Sequence, residues 1–135
     1  MSANISGVIV PITVAAAIAQ YKFLEIASAN AVATAANAAA DDVVGISLEA
    51  RSAAQITAGE TRIPMLLPNC VAKVLAGAAI DITAGAVPVT TDSAGRAVAV
   101  AAATDRILGY ALQSAGAANE VIEILFLKGA DRRDA

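Results

Sequence analysis

The chain of 135 residues is long enough to bury one core and too short for a core plus a separate substrate domain. Nine Lys and Arg stand against twelve Asp and Glu, a net charge of −3, and the basic residues are dispersed, which argues against a nucleic-acid partner. With no histidine and a single cysteine, Cys70, the chain has no Ser-His or Cys-His pair, no intrachain disulfide and no zinc-type spacing.

Hydrophobic residues make up 58% of the chain but aromatic ones only 3%, because alanine dominates. Alanine buries little surface, so a monomer of this composition gains less from burial than a leucine-rich one, and an oligomer or a component of a larger assembly is the expectation.

No charged side chain precedes Lys22. Ser2, Asn4, Ser6 and Gly7 interrupt the start and Pro11 breaks the apolar run, so neither a secretory signal nor a membrane-spanning helix fits this segment. Residues 1–19 read as an N-terminal arm and first strand, 20–129 as a β-rich domain, and 130–135 as a polar, fraying tail. Gly7–Val14 is rich in β-branched residues, and Pro11 removes a backbone donor, as an edge strand or extended arm allows. Tyr21–Ile26 alternates apolar and charged positions like a half-buried strand. Ala27–Ala40 has helical propensity but no large apolar residues at helical spacing, and is read as loop and strand.

Val43-Val44-Gly45-Ile46-Ser47-Leu48 and Ile107-Leu108-Gly109-Tyr110-Ala111-Leu112 read alike, with their glycines 64 positions apart (109 − 45). Asp41 then falls on Asp105, and the region around the Ala-rich run falls on Val87–Val100. There, β-branched segments flank Asp92-Ser93-Ala94-Gly95, the pattern of a β-hairpin. A small-residue loop, Arg51–Gly59, leads to a strand over Glu60–Leu67; its second copy is Ala115–Asn119 leading to Glu120–Leu127, at an offset of 61 (124 − 63) that pairs Ile63 with Ile124 and Met65 with Phe126. Ile56-Thr57-Ala58-Gly59 is echoed by Ile82-Thr83-Ala84-Gly85 as a turn launching a strand. Pro68-Asn69 is a turn and Cys70–Leu75 a short strand. Short strands with frequent turn signals predict an all-β fold, a small barrel- or sandwich-like single domain with an internal pseudo-repeat and an extended N-terminal arm.

Sites for chemistry are scarce. Asp41-Asp42 are adjacent and diverge on an extended chain, as do Glu120 and Glu123. Gly45 and Gly109 lack the companions of a phosphate loop. Together with Gly59, Gly85 and Gly95 they read as structural bends and turns. Tyr21, Phe23, Tyr110 and Phe126 read as core, and Cys70 as a small buried hydrophobe. The expectation is a protein without catalytic residues, metal or cofactor, and not an enzyme.

The order Val43–Ala50, Gly59-Glu60, Ile82–Val89, Thr91–Arg96, Arg106–Gln113 and Val121–Leu127 resembles the tailed-phage capsid decoration, or cement, proteins over about Leu24 to Lys128. The Ala27–Ala40 run and the uncharged arm depart from that pattern. The resemblance implies a small β-barrel-like protein, a homotrimer, whose partner is the major capsid protein. It would bind the outer surface of an expanded icosahedral head, after a spell in the host cytoplasm, and cement neighbouring subunits against the pressure of packaged DNA, with neither nucleic acid nor membrane as partner. Ile5, Val8, Ile9, Val10 and Pro11, within the arm Ser2–Thr13, are the candidate capsid contacts, with strand addition to a capsid sheet edge as the mode. That this segment is instead the first core strand stays open, as does the alternative of a virion- or cell-surface adhesion module.

Overall fold

A computed structural model of the chain describes residues 7–28, 31–38 and 43–127. Within these residues β-branched and alternating segments form ten strands: β1 (Ile9–Thr13), β2 (Phe23–Ser28), β3 (Ala31–Thr34), β4 (Val43–Ser47), β5 (Arg62–Leu66), β6 (Cys70–Leu75), β7 (Pro88–Thr91), β8 (Ala97–Ala99), β9 (Gly109–Ala111) and β10 (Val121–Phe126). The only helix among them is the single-turn α1 (Ala53–Thr57). Two five-stranded antiparallel sheets result, in the orders β1-β5-β4-β2-β3 and β6-β10-β9-β7-β8. The fold is all-β, as expected. The described part of the Ala-rich run contributes β3 and no helix.

The two sheets repeat each other strand for strand: β1 to β5 become β6 to β10 in the same spatial order. Each sheet curls until its outer strands meet, through a parallel bridge Val14–Val32 in the first and Ala76–Ala97 in the second. Antiparallel bridges Ile18–Arg51 and Ile80–Ala115 brace equivalent places. Backbone bonds repeat as well: Ala35 N donates to Phe23 O (2.9 Å) as Val100 N donates to Pro88 O (3.0 Å), and Leu48 N to Pro64 O (3.1 Å) as Leu112 N to Glu123 O (2.9 Å).

The register corrects one expectation. Ser47 pairs with Met65 as Ala111 pairs with Ile124, and Ile46 with Leu66 as Tyr110 with Leu125. The counterpart of Met65 is therefore Ile124, and that of Ile63 is Ile122, an offset of 59 (124 − 65) rather than 61. A shift of two residues keeps every side chain on its face, so the hydrophobic pattern alone could not detect it. The extra length of the first half is taken up by α1, which lies in the segment Arg51–Gly59 expected to be loop. Ser52 caps it, its hydroxyl accepting from Gln55 N (3.2 Å) while Gln55 Oε1 accepts from Ser52 N (2.8 Å). Consequently Ile56–Gly59 and its echo Ile82–Gly85 do not occupy equivalent places. The first closes a helix, while the second follows Asp81, whose carboxylate accepts from Thr83 N–H (2.9 Å).

Two hydrophobic clusters follow from the two sheets. Leu24, Val32, Ile63 and Met65 on the concave side of the first sheet pack with Val14 and Ile18. Their counterparts Val89, Ala97, Ile122 and Ile124 pack with Ala76 and Ile80 in the second. The second cluster is larger because Phe23, Ile46 and Leu66, on the convex side of the first sheet, join it beside Cys70, Leu108 and Phe126. The two sheets thus share one core and make one domain.

Candidate binding surface

Chain alternation fixes what the N-terminal segment can present. Ile9 pairs with Leu66, Val10 with Met65, Pro11 with Pro64, Ile12 with Ile63 and Thr13 with Arg62. Residues 9, 11 and 13 share one face, and 8, 10 and 12 the other. Pro11 opposite Pro64 asks for no N–H from either ring, and the flanking bonds from Leu67 N to Val8 O (2.9 Å) and Val14 N to Thr61 O (2.7 Å) fall in phase with that. Residues 9–13 are therefore a paired strand of the first sheet rather than a free arm.

Of the five candidate contacts, Ile5 lies outside the described residues. Val8 (63%) and Ile9 (57%) are exposed on opposite faces, Pro11 is exposed beside Ile9, and Val10 packs partly against the Leu24–Met65 cluster. They do not make one stripe. Beyond β5, β1 meets only the bridge to β3, so much of its outer edge is unpaired within the described chain.

Two apolar grooves flank β1. One, of about 570 Å³, runs between Pro11, Ile12, Ile26, Val32, Arg62 and Met65. The other, of about 500 Å³, lies between Val8, Val43, Val44, Leu67, Pro68 and Asn69. Ile26 (53%), exposed on β2, adds to the first patch, and Val121, Leu125 and Leu112 form further exposed apolar positions on the second sheet. None of these is among the candidate contacts that the sequence offers. Leu125 carried a signal, since it sits out of phase with the buried Ile122, Ile124 and Phe126 on a strand of period two.

The glycines divide by role. Gly59, Gly85 and Gly95 sit in turns with positive φ. Gly45 and Gly109 lie inside β4 and β9 rather than in turns, where the backbone of a neighbouring strand approaches: a Cβ on Gly45 would stand 2.7 Å from Leu66 O, and one on Gly109 would collide with Leu125 O. Phe23 and Phe126 are fully buried, while Tyr21 and Tyr110 are only half-buried.

On this surface Arg62 of β5 reaches Pro11 O (3.4 Å), and elsewhere carboxylates fix turns. Asp92 accepts from Ala94 N (2.8 Å) and Arg96 N (2.8 Å), and pairs with Arg96 Nε at 2.9 Å. The Thr83 backbone N–H and hydroxyl hold the Asp81 carboxyl below its usual range, and burial pushes the Cys70 thiol up. Among the described residues no group of three or more His, Cys, Asp or Glu gathers where a metal ion could be held, and no helix is long and apolar enough to cross a membrane.

No protein-family model matches the sequence, and no curated protein sequence does either. Among solved structures the fold is similar to the head fiber gp8.5 N base of bacteriophage phi29, with a TM-score of 0.65 over 90% of this chain and 95% of that one, at 16% identity. At that identity the likeness is one of fold.

Proposed function

We propose that this chain is a structural protein of a phage virion, bound to the outer surface of an expanded icosahedral head, where as a homotrimer it bridges neighbouring copies of the major capsid protein and braces the shell against packaged DNA. The observation that carries the reading is the near end-to-end likeness of fold to a phage head fiber base, reached independently of the sequence pattern that resembles decoration proteins. The surface agrees with it. Apolar groove and edge positions, with few charges among them, suit many modest contacts, and repetition over a shell multiplies these through avidity. Ile9, Pro11 and Ile26 beside the unpaired stretch of β1 are the capsid-facing positions this reading prefers, and no reaction is asked of the protein.

Co-sedimentation with decoration-free shells of the source virus tests it. Saturable binding to expanded shells, approaching one chain per capsid subunit, and none to unexpanded ones is the expected result. Absence of binding to either form overturns the cement role.

A further inference from the structure

The joint between the two sheets is lopsided. The first sheet contributes its convex face, with Phe23, Ile46 and Leu66 buried; the second contributes the end of its barrel, where Cys70, Leu108 and Phe126 receive them. The repeat carries each half of this joint to a second place. Counterparts of Phe23, Ile46 and Leu66 are Pro88, Tyr110 and Leu125, on the convex face of the second sheet. Those of Cys70, Leu108 and Phe126 are Val8, Val44 and Leu67, which line the groove of about 500 Å³ at the end of the first sheet. Leu125 is 36% exposed and Val8 63%, so neither half is matched among the described residues.

We propose that a second copy of this chain fills that groove, presenting its Tyr110–Leu125 face to Val8, Val44 and Leu67 in the arrangement that already joins the two sheets. The occupant follows from the internal precedent: the face and the groove are the two partners of a contact the chain makes once with itself. Since the two surfaces differ, the contact is head-to-tail, and repetition gives a ring where the rotation closes and a filament where it does not. The joint between copies is weaker than the internal one. Inside the chain Phe23 N donates to Gly95 O (2.8 Å) and Lys22 Nζ to Ala94 O (2.8 Å), whereas Pro88 and Val87, in the corresponding places, offer neither an N–H on the ring nor an ammonium. Assembly is therefore concentration-dependent. The inference deepens the trimer part of the proposed function and rests on it; shell binding is measured separately.

Sedimentation velocity of the full chain over a concentration series is the test, with Leu125→Glu on the face and Val8→Glu in the groove. Wild type is expected to associate reversibly, and each variant to raise the dissociation constant about tenfold or more. Mixing the two variants restores one good joint, between the intact face of Val8→Glu and the intact groove of Leu125→Glu, and yields a heterodimer that grows no further. Tyr110→Glu serves as the face variant if the melting curve of Leu125→Glu reveals unfolding. A monomeric wild type overturns both this joint and the trimer. Assembly that survives all the variants, or dissociated variants that do not pair on mixing, overturns the joint and leaves the trimer standing. Shell binding lost in Leu125→Glu while self-association is untouched assigns the face to the capsid and likewise overturns the joint.

Discussion

The ring of Phe23, from the first sheet, stands 5.9 Å from that of Phe126, from the second, tilted by 50°. Both are fully buried in the shared cluster, and they are the only phenylalanines in the chain. In a core otherwise without aromatic side chains, this contact joins the two repeats.

Phe23→Ala and Phe126→Ala are each expected to cost about 3–5 kcal/mol, the range for truncating a buried ring. The double variant should cost less than the sum, because both substitutions remove the same contact. Urea melts of the four proteins check this. Strict additivity would mean that the two rings act separately.

Gly109→Ala is expected to be far more damaging than Gly59→Ala. At Gly59 (φ +90°) the added methyl meets open space and the penalty is conformational, about 1–2 kcal/mol. At Gly109 the methyl drives into Leu125 O, and relief requires opening the β9–β10 ladder. Thermal melting of the two variants decides it; equal losses would show that the ladder yields cheaply.

Much of this architecture was readable from residues. The likeness of Val43–Leu48 to Ile107–Leu112 announces the duplication, and the turn at Pro68-Asn69 and the small-residue loop Ala115–Asn119 mark the starts of β6 and β10. Two things were not. The register of β5 against β10 was misplaced by two because a period-two pattern is unchanged by that shift, and because the intervening loop hid a one-turn helix whose stability comes from Ser52 and Gln55 rather than from an apolar stripe. The five N-terminal candidates are neighbours in sequence but do not share one face. Pairing to β5 sends Val8 and Val10 to one face and Ile9 and Pro11 to the other.

Removing the cap of α1 should loosen it without unfolding the sheets. Ser52→Ala is expected to cost about 1 kcal/mol, with Gln55→Ala costing a part of that because the two side chains close one box. α1 has no fully buried residue and packs on the first cluster only through half-buried Ile56, so packing replaces little of the lost bonding. Hydrogen exchange should quicken over residues 53–58 in Ser52→Ala and stay unchanged in β4 and β5. Quickening throughout the first sheet would show that α1 is integral to it.

Cys70 gives a pH signature. Burial raises its thiol above the ordinary value of 9.0, so the fold holds the proton more tightly than the unfolded chain does. Its contribution is complete below that ordinary value and is lost as pH rises through the higher folded value. Alkylation at mildly alkaline pH should be blocked in the folded protein and reach one thiol per chain in denaturant. The alkaline fall in melting temperature should be smaller in Cys70→Ala. A readily alkylated native thiol would contradict the burial of β6.

Removal of residues 1–10 should destabilise the protein as well as weaken shell binding, because it takes Ile9 and Val10 out of their pairs with Leu66 and Met65 and leaves part of the Leu24–Met65 cluster uncovered. A cleaner probe of the shell contact is Ile9→Asp, combined with Ile26→Asp. Both side chains are more than half exposed, so melting should move little, while a charge at an apolar contact should weaken binding to expanded shells about tenfold or more. Ile9 and Ile26 lie outside the Val8–Leu67 groove, so self-association should be unaffected. Unaltered shell binding in the double variant would move the capsid-facing surface away from β1 and β2, toward the second sheet.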